Sequence, residues 1–195
     1  IGDIGTTSFF PSKNLGCYGD GGAIFTDDDD LASKMRMIAN HGQEKKYYHK
    51  VTGCNSRLDS IQAAILNVKL KFLDEYNNKR NKMADKYDDA FKSIDGLNIP
   101  FRFDCSDHVF HQYTLKTTKN LRDDLVSFLN KKGIPSMIYY PVPNHLQRAY
   151  SYFGYKAGDM PNTEDLCSRV ISLPIHTEMS EEQQNTIIEQ VLSFR

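Results

Sequence analysis

Two short apolar runs near the start of the chain enclose a glycine-rich turn and a single lysine. The segment reads SFFPSKNLGCYGDGGAIF over residues 8–25, and its lysine is Lys13. Glycine permits positive φ angles and lets the backbone approach a ligand closely. The pattern therefore predicts two strands, over residues 6–10 and 22–26, joined by a tight connection that carries Lys13.

A lysine at a strand end, in a partly dry site, is suited to covalent chemistry. Burial disfavours the charged ammonium, so the free amine becomes able to attack a carbonyl group. Such an amine can form a Schiff base. The alternative is a β-hairpin with a surface lysine near its turn, and the segment alone leaves both interpretations open.

The next part of the chain has helical periodicity. A helix is predicted over residues 28–39, and residues 42–53 are polar and aromatic and predict a loop. A long helix should follow, with a capping-box-like start at Ser56 and Asp59 and an end near Phe91. Its apolar stripe consists of Leu58, Ile61, Ile65, Val68 and Phe72.

The C-terminal part predicts a small α/β unit. Strands are expected over residues 109–115, 135–140 and 171–174, and a helix over residues 163–170. Asn120 should cap another helix that Gly133 stops, and Ser180 with Gln183 should cap the last one. We therefore expect an α/β protein with two domains, residues 1–93 and 94–195.

Composition is that of a globular protein without a charged partner. The chain has 24 Lys and Arg against 25 Asp and Glu, for a formal net charge of −1. Nothing in this balance points to a nucleic acid or a membrane. The four cysteines lack metal or redox spacing, which suggests reduced thiols in the cytoplasm and no metal site.

The lysine segment resembles the cofactor-binding segment of the DegT-type (DegT/DnrJ/StrS) nucleotide-sugar aminotransferases, which depend on pyridoxal phosphate. Further blocks are similar in order and spacing, and they read NHG at residues 40–42, GCNSRLDSIQAAIL at 53–66, YPVP at 140–143, GDMP at 158–161 and ISLPIH at 171–176. The resemblance covers essentially the whole chain. It implies the C-terminal half of a fold-type I transferase: a remnant of the large domain plus the small α/β domain.

The resemblance also implies roles for particular residues. Lys13 matches the lysine that holds pyridoxal phosphate covalently and exchanges protons during transamination. Ser8 matches a serine that contacts the cofactor phosphate. Asn55 matches a residue that reaches the phosphate in the neighbouring subunit, and Arg57 lies close to that shared site. Alone, Asn55 would be read as a helix cap and Arg57 as a solvated charge.

Arg57 and three further residues are weaker candidates for the substrate site. His41 follows a helix and could simply terminate it. Tyr139 and Tyr140 precede a proline, where relatives often have His-Tyr-Pro. Tyr139 therefore replaces the family's histidine, although a tyrosine hydroxyl can still donate a hydrogen bond to a sugar or carboxylate.

The segment looks most similar to that of UDP-2-acetamido-3-oxo-glucuronate aminotransferases. The resemblance thus implies a UDP-linked 3-keto sugar as substrate, glutamate as amino donor, a homodimer with shared sites, and a role in surface polysaccharide or glycoconjugate synthesis. The alternatives are a 4-keto-6-deoxy nucleotide-sugar aminotransferase, a non-catalytic cofactor- or sugar-binding relative, and a fragment that acts only as a structural domain. A P-loop is not indicated, because Gly-Asp-Gly-Gly lacks the required Gly-Lys-Ser/Thr ending.

Overall fold

The first strands carry the lysine segment between them. The computed structural model describes residues 2–118 and 120–194. Strands β1 (Gly5–Ser8) and β2 (Gly22–Phe25) pair antiparallel, with Gly5 opposite Phe25 and Ser8 opposite Gly22. Both predicted strands are confirmed, but β1 ends at Ser8, so residues 9 and 10 already belong to the connection.

Helix α1 (Asp29–Ala39) begins where the sequence predicts it. The Asp28 carboxylate accepts a hydrogen bond from the Leu31 amide, which caps the helix. The following loop prediction is wrong in part, because residues 43–49 form a small hairpin of β3 (Gln43–Lys45) and β4 (Tyr48–His49). Its turn contains neither glycine nor asparagine, so the usual hairpin signal is missing.

The predicted long helix is present with a short interruption. It consists of α2 (Ser60–Lys69), a 3₁₀ turn (Leu70–Phe72) and α3 (Leu73–Phe91). The capping-box start at Ser56 and Asp59 is wrong: Asp59 occupies the cap position but makes no side-chain cap bond.

The later residues form a three-stranded antiparallel sheet in the order β5–β6–β7. Its strands are β5 (Leu97–Asn98), β6 (Tyr113–Thr117) and β7 (Val170–Leu173). The helices are α4 (Leu121–Lys131), α5 (Pro161–Arg169) and α6 (Glu181–Ser193), with 3₁₀ turns at Asn144–Leu146 and Arg148–Phe153.

Several expectations for this region need correction. The strand predicted over residues 109–115 begins only at Tyr113. The strand predicted over residues 135–140 is reduced to one bridge between Met137 and Ser172. Asn120 precedes α4 but does not cap it with its side chain. The capping box of Ser180 and Gln183 is confirmed in both of its hydrogen bonds.

The chain divides into two compact units, Ile1–Glu75 and Tyr76–Arg195. One cluster of buried apolar side chains lies in the second unit and includes Tyr87, Phe91, Phe110, Tyr113, Leu115, Leu125, Leu129 and Ile171. Most of α3 therefore packs with the second unit, whereas the domain boundary at residues 93 and 94 stays a prediction. In the part of the chain that the structure describes, no helix has the length and apolarity needed to cross a bilayer.

Candidate active site

Lys13 lies in the loop between β1 and β2, and hydrogen bonds within this loop hold it in a compact conformation. The Phe9 amide donates to the Gly21 carbonyl at 2.8 Å, and the Cys17 amide donates to the Phe9 carbonyl at 2.8 Å. The Lys13 amide donates to the Phe10 carbonyl, also at 2.8 Å. These bonds form a compact loop in which the Lys13 side chain is half-buried rather than fully exposed.

The glycines of this loop are required by close packing. A Cβ atom on Gly16 would lie 2.6 Å from the Pro11 carbonyl oxygen and 2.7 Å from that of Phe10. Atoms do not approach so closely without a shift of the backbone. Gly16 therefore lets the chain turn back directly beside Lys13.

Helix α2 braces the same loop from outside. The Gln62 Oε1 atom accepts a hydrogen bond from the Tyr18 amide at 2.8 Å. The Lys69 Nζ atom donates to the Gly16 carbonyl and lies 5.7 Å from the centre of the Tyr18 ring. The sequence alone indicates no role for Gln62 and Lys69, although their spacing of seven residues puts both on one helix face.

Ser8 is the last residue of β1 and is exposed. Its Oγ atom accepts a hydrogen bond from the Phe10 amide at 3.2 Å. Because the hydroxyl acts here as acceptor, its own hydrogen is available to a ligand. A phosphate oxygen is a suitable acceptor for it.

The first unit also contains an open cleft of about 1090 Å³. It is bounded by β1, β2, one side of α1 and residues 55–59. Asn55 and Arg57 line it, whereas the described lining residues do not include Ser8, Lys13 or His41. Four aspartates and two arginines are among the residues that line the cleft: Asp3, Asp20, Asp27, Asp59, Arg36 and Arg57.

Asn55 is held at the cleft by the end of α1. It pairs with Asn40 in an isolated bridge, and the neighbouring Cys54 and Ser56 amides donate to the Ile38 and Ala39 carbonyls at 2.9 Å. Gly53 makes this approach possible, because a Cβ atom there would lie 2.1 Å from the Gly42 nitrogen.

Asn55 and Arg57 form one hydrogen-bonding group. The Arg57 Nε atom donates to the Asn55 Oδ1 atom at 3.2 Å, and both side chains are exposed to the cleft. This bond uses the acceptor end of the amide. The Asn55 NH₂ group and the other guanidinium hydrogens remain as donors, and an anion is a suitable acceptor for them.

His41 has a clear structural role. Its φ angle is 61°, its amide donates to the Cys54 carbonyl, and its own carbonyl accepts from the His49 ring at 2.7 Å. It thus ends α1 and holds the adjoining segments. Tyr139 and Tyr140 belong to the second unit, with ring centres 5.5 Å apart and Tyr140 largely exposed.

A protein-family comparison matches residues 1–192 to the DegT/DnrJ/EryC1/StrS aminotransferase family. The chain belongs to this family. The family is PLP-dependent, so the expected cofactor, fold class and family resemblance are confirmed.

Similar proteins agree with that assignment. The chain is 47% identical to the Pleiotropic regulatory protein of Geobacillus stearothermophilus, over 100% of this chain and 53% of the relative. It is 42% identical to UDP-2-acetamido-2-deoxy-3-oxo-D-glucuronate aminotransferase of Pseudomonas aeruginosa, over 90% of this chain and 47% of that enzyme. The crystal structure of S. venezuelae DesV in complex with a ketimine intermediate superposes with a TM-score of 0.90 and 39% identity, over 98% of this chain and 51% of that chain.

The chain thus spans about half the length of the curated relatives that it matches. The residue types present fit pyridoxal phosphate, although, among the described residues, Asn55 and Arg57 line the cleft and Ser8 and Lys13 do not. Lys13 offers a half-buried amine for the aldehyde, while Ser8 and the Asn55–Arg57 group offer neutral and cationic donors for a phosphate.

Proposed function

We propose that the chain carries the lysine-bearing half of a pyridoxal-phosphate-dependent aminotransferase that acts on a keto nucleotide sugar. The proposed substrate is a UDP-linked 3-keto sugar, with glutamate as amino donor. The observation that carries the proposal is the half-buried Lys13, held by a self-bonded loop and braced by α2. Residues 1–93 would belong to the large domain and residues 94–195 to the small domain.

The bound cofactor supplies an electron-withdrawing ring that stabilises negative charge next to the substrate nitrogen. Lys13 Nζ would hold the cofactor covalently until the amino donor replaces it. The released Lys13 amine can accept a proton from the α-carbon of the amino donor and deliver it to the C4′ carbon of the cofactor. Ser8, Asn55 and Arg57 would bind the phosphate and so keep the reacting atoms in place.

A relative supports the 3-keto sugar. The 42%-identical enzyme from Pseudomonas aeruginosa is named for a 3-oxo sugar.

Exposed apolar side chains support a shared site. The first unit exposes many of them, including Ile24, Phe25 and Ile61, which are 56%, 59% and 73% exposed. Such a surface favours association, and we propose a homodimer in the cytoplasm whose sites take residues from both copies.

The direct test is reduction with borohydride in the presence of pyridoxal phosphate, followed by mass analysis of the Lys13 peptide. The wild-type chain should gain a phosphopyridoxyl group on Lys13, and the Lys13→Arg variant should not. Lys34→Ala, which removes an exposed lysine of α1, serves as the matched control and should label at Lys13 normally. If labelling is spread over surface lysines and is unchanged in Lys13→Arg, the proposal is wrong.

A second candidate function has its own support. The 47%-identical relative is named a pleiotropic regulatory protein, which supports a regulatory role as the alternative. Transfer of ¹⁵N from labelled glutamate to keto sugars separates the two. Transfer to a UDP-3-keto sugar supports the enzyme, transfer only to a 4-keto-6-deoxy sugar corrects the substrate, and a Lys13 adduct without any transfer supports the regulatory role.

A further inference from the structure

Helix α2 holds the loop between β1 and β2 at two points that lie soon after Lys13. The Gln62 Oε1 atom accepts from the Tyr18 amide at 2.8 Å. The Lys69 Nζ atom donates to the Gly16 carbonyl. Because only one residue separates Gly16 from Tyr18, these two bonds fasten the returning part of the loop on both of its sides.

The side chain of Lys69 is committed to this loop. Its polar contacts are the Gly16 carbonyl and the face of the Tyr18 ring, and among the described residues it has no carboxylate partner. A hydrogen bond from a charged donor is roughly twice as strong as a neutral one. The helix dipole alone favours a cation in the last turn of α2, but it does not require a bond to Gly16.

Close contacts connect Gly16 directly to the turn that carries Lys13. A Cβ atom on Gly16 would lie 2.6 Å from the Pro11 carbonyl oxygen and 2.7 Å from that of Phe10, so these peptide groups touch. The same Phe10 carbonyl accepts the hydrogen bond from the Lys13 amide at 2.8 Å. Because close-packed groups transmit displacements, a shift of Gly16 moves the turn at Lys13.

The rest of the same helix face packs on the loop as well. A Cβ atom on Gly19 would lie 3.1 Å from the Gln62 Nε2 atom, and one on Gly21 would lie 3.0 Å from the Leu58 Cδ1 atom. Leu66, between Gln62 and the end of the helix, is 7% exposed. A loop fixed to a regular helix holds a reactive group more precisely than a loop alone.

We propose that Gln62 and Lys69 are positioning residues for Lys13, and we call this pair the α2 clamp. The inference rests on the proposed function, because it concerns the placement of the Lys13 amine against the cofactor aldehyde. Neither residue of the clamp makes or breaks a bond, since both act through the loop. Placement matters because an error of about 1 Å can slow a reaction about 100-fold.

The test compares two reagents for the Lys13 amine in the full chain, with mass analysis of the Lys13 peptide. Acetic anhydride reports how accessible the amine is, and pyridoxal phosphate with borohydride reports how well it is placed. Lys69→Met keeps an apolar stem and removes the donor. Acetylation of the half-buried Lys13 should become faster as the loop loosens, while capture of pyridoxal phosphate should become roughly 10- to 100-fold slower, as expected for loss of a bond to a charged group.

Conservative variants separate the clamp from a general effect of mutation. Lys69→Arg keeps a charged donor and should recover most of the capture rate. Gln62→Leu should change both rates in the same directions as Lys69→Met but only by roughly 2- to 10-fold, because it removes a neutral bond, and Gln62→Glu keeps the acceptor and should resemble the wild type. Lys71→Met, which removes an exposed lysine of the adjacent 3₁₀ turn, is the matched control and should change neither rate.

Two outcomes overturn the proposal. Equal acetylation and equal capture in Lys69→Met and the wild type exclude the clamp. Faster acetylation of all lysines alike, together with a lower unfolding temperature, means that Lys69 only stabilises the fold. A wild-type chain that captures no pyridoxal phosphate refutes the proposed function instead, and the acetylation rate of Lys13 then still decides whether the clamp holds the loop.

Discussion

At the scale of single residues, Asn55 is the position where one atom changes the chemistry of the cleft. Its Oδ1 atom accepts from Arg57, which leaves its NH₂ group for an anion. Asn55→Asp keeps the bond from Arg57 but replaces those donors with a negatively charged oxygen. We expect pyridoxal phosphate to bind roughly tenfold more weakly, because a charge-assisted contact becomes a repulsion.

Absorbance titration of the cofactor measures this effect. Asn98→Asp adds the same charge at an exposed asparagine of β5 and should leave the affinity unchanged. Equal affinities for Asn55→Asp and the wild type would remove Asn55 from the phosphate site.

At the scale of secondary structure, Glu164 ties the N-terminus of α5 to the segment before it. Its carboxylate accepts from the Gly158 amide at 2.9 Å and the Met160 amide at 3.3 Å, and it pairs with His145 Nε2 at 3.1 Å. The Gly158 bond, followed by the His145 and Met160 bonds, lowers the pKa of Glu164 below its usual value. These contacts therefore favour the ionised carboxylate.

The sign of the pH effect follows from the lowered pKa. The stabilisation is complete above the ordinary pKa of a glutamate, about 4.3, and is lost as the pH falls through the lowered folded-state pKa. We expect the Gly158 amide resonance to titrate at a pH below the ordinary pKa of a glutamate, and proteolysis of residues 144–160 to increase there. Glu164→Gln should abolish the titration, and a Gly158 shift that titrates in that variant would assign the effect to another group.

Local signals explain which elements could be predicted from the sequence. The capping box of Ser180 and Gln183 needs only residues within one turn, and it is present. The strand expected over residues 135–140 fails because its partner Ser172 is remote, and only Met137 pairs with it. The β3–β4 hairpin is not predicted by the sequence pattern because Tyr47, rather than glycine, occupies the turn.

The candidate site was predictable in its parts but not in its arrangement. The Lys13 segment could be recognised from its motif. Its supports could not, because Gln62 and Lys69 are 44 and 53 residues away from the atoms that they contact. The role of His41 as a helix-terminating residue was one of the alternatives open from the start, and its geometry agrees with it.

At the scale of the whole molecule, the two units differ in how many apolar side chains they bury. Among the described residues, the first unit contributes only Cys17 and Leu66 to the buried apolar set, whereas the second unit contains the large cluster around Tyr87 and Leu125. Burial of apolar surface is the main favourable term in folding. The second unit should therefore be the more stable part of this chain.

Hydrogen exchange followed by mass spectrometry tests this expectation. Amides of β2 (Gly22–Phe25) should exchange at least roughly tenfold faster than those of β6 (Tyr113–Thr117), because local opening requires less energy where less apolar surface is buried. Leu125→Ala should accelerate exchange in β6 and spare β2. Equal protection of both strands would mean that the two units unfold together.

The buried Cys17 has a practical consequence for the study of the Lys13 loop. Its Sγ atom is inaccessible and lies 3.0 Å from both the Phe9 and the Gly19 carbonyl oxygens, which share its single S–H hydrogen, while Cys54 and Cys105 are exposed. An alkylating reagent can reach Cys17 only when the Lys13 loop opens. The rate at which Cys17 is alkylated therefore measures the rate of loop opening. A ligand that stabilises the closed loop will lower this rate, and no added label is needed to observe the effect.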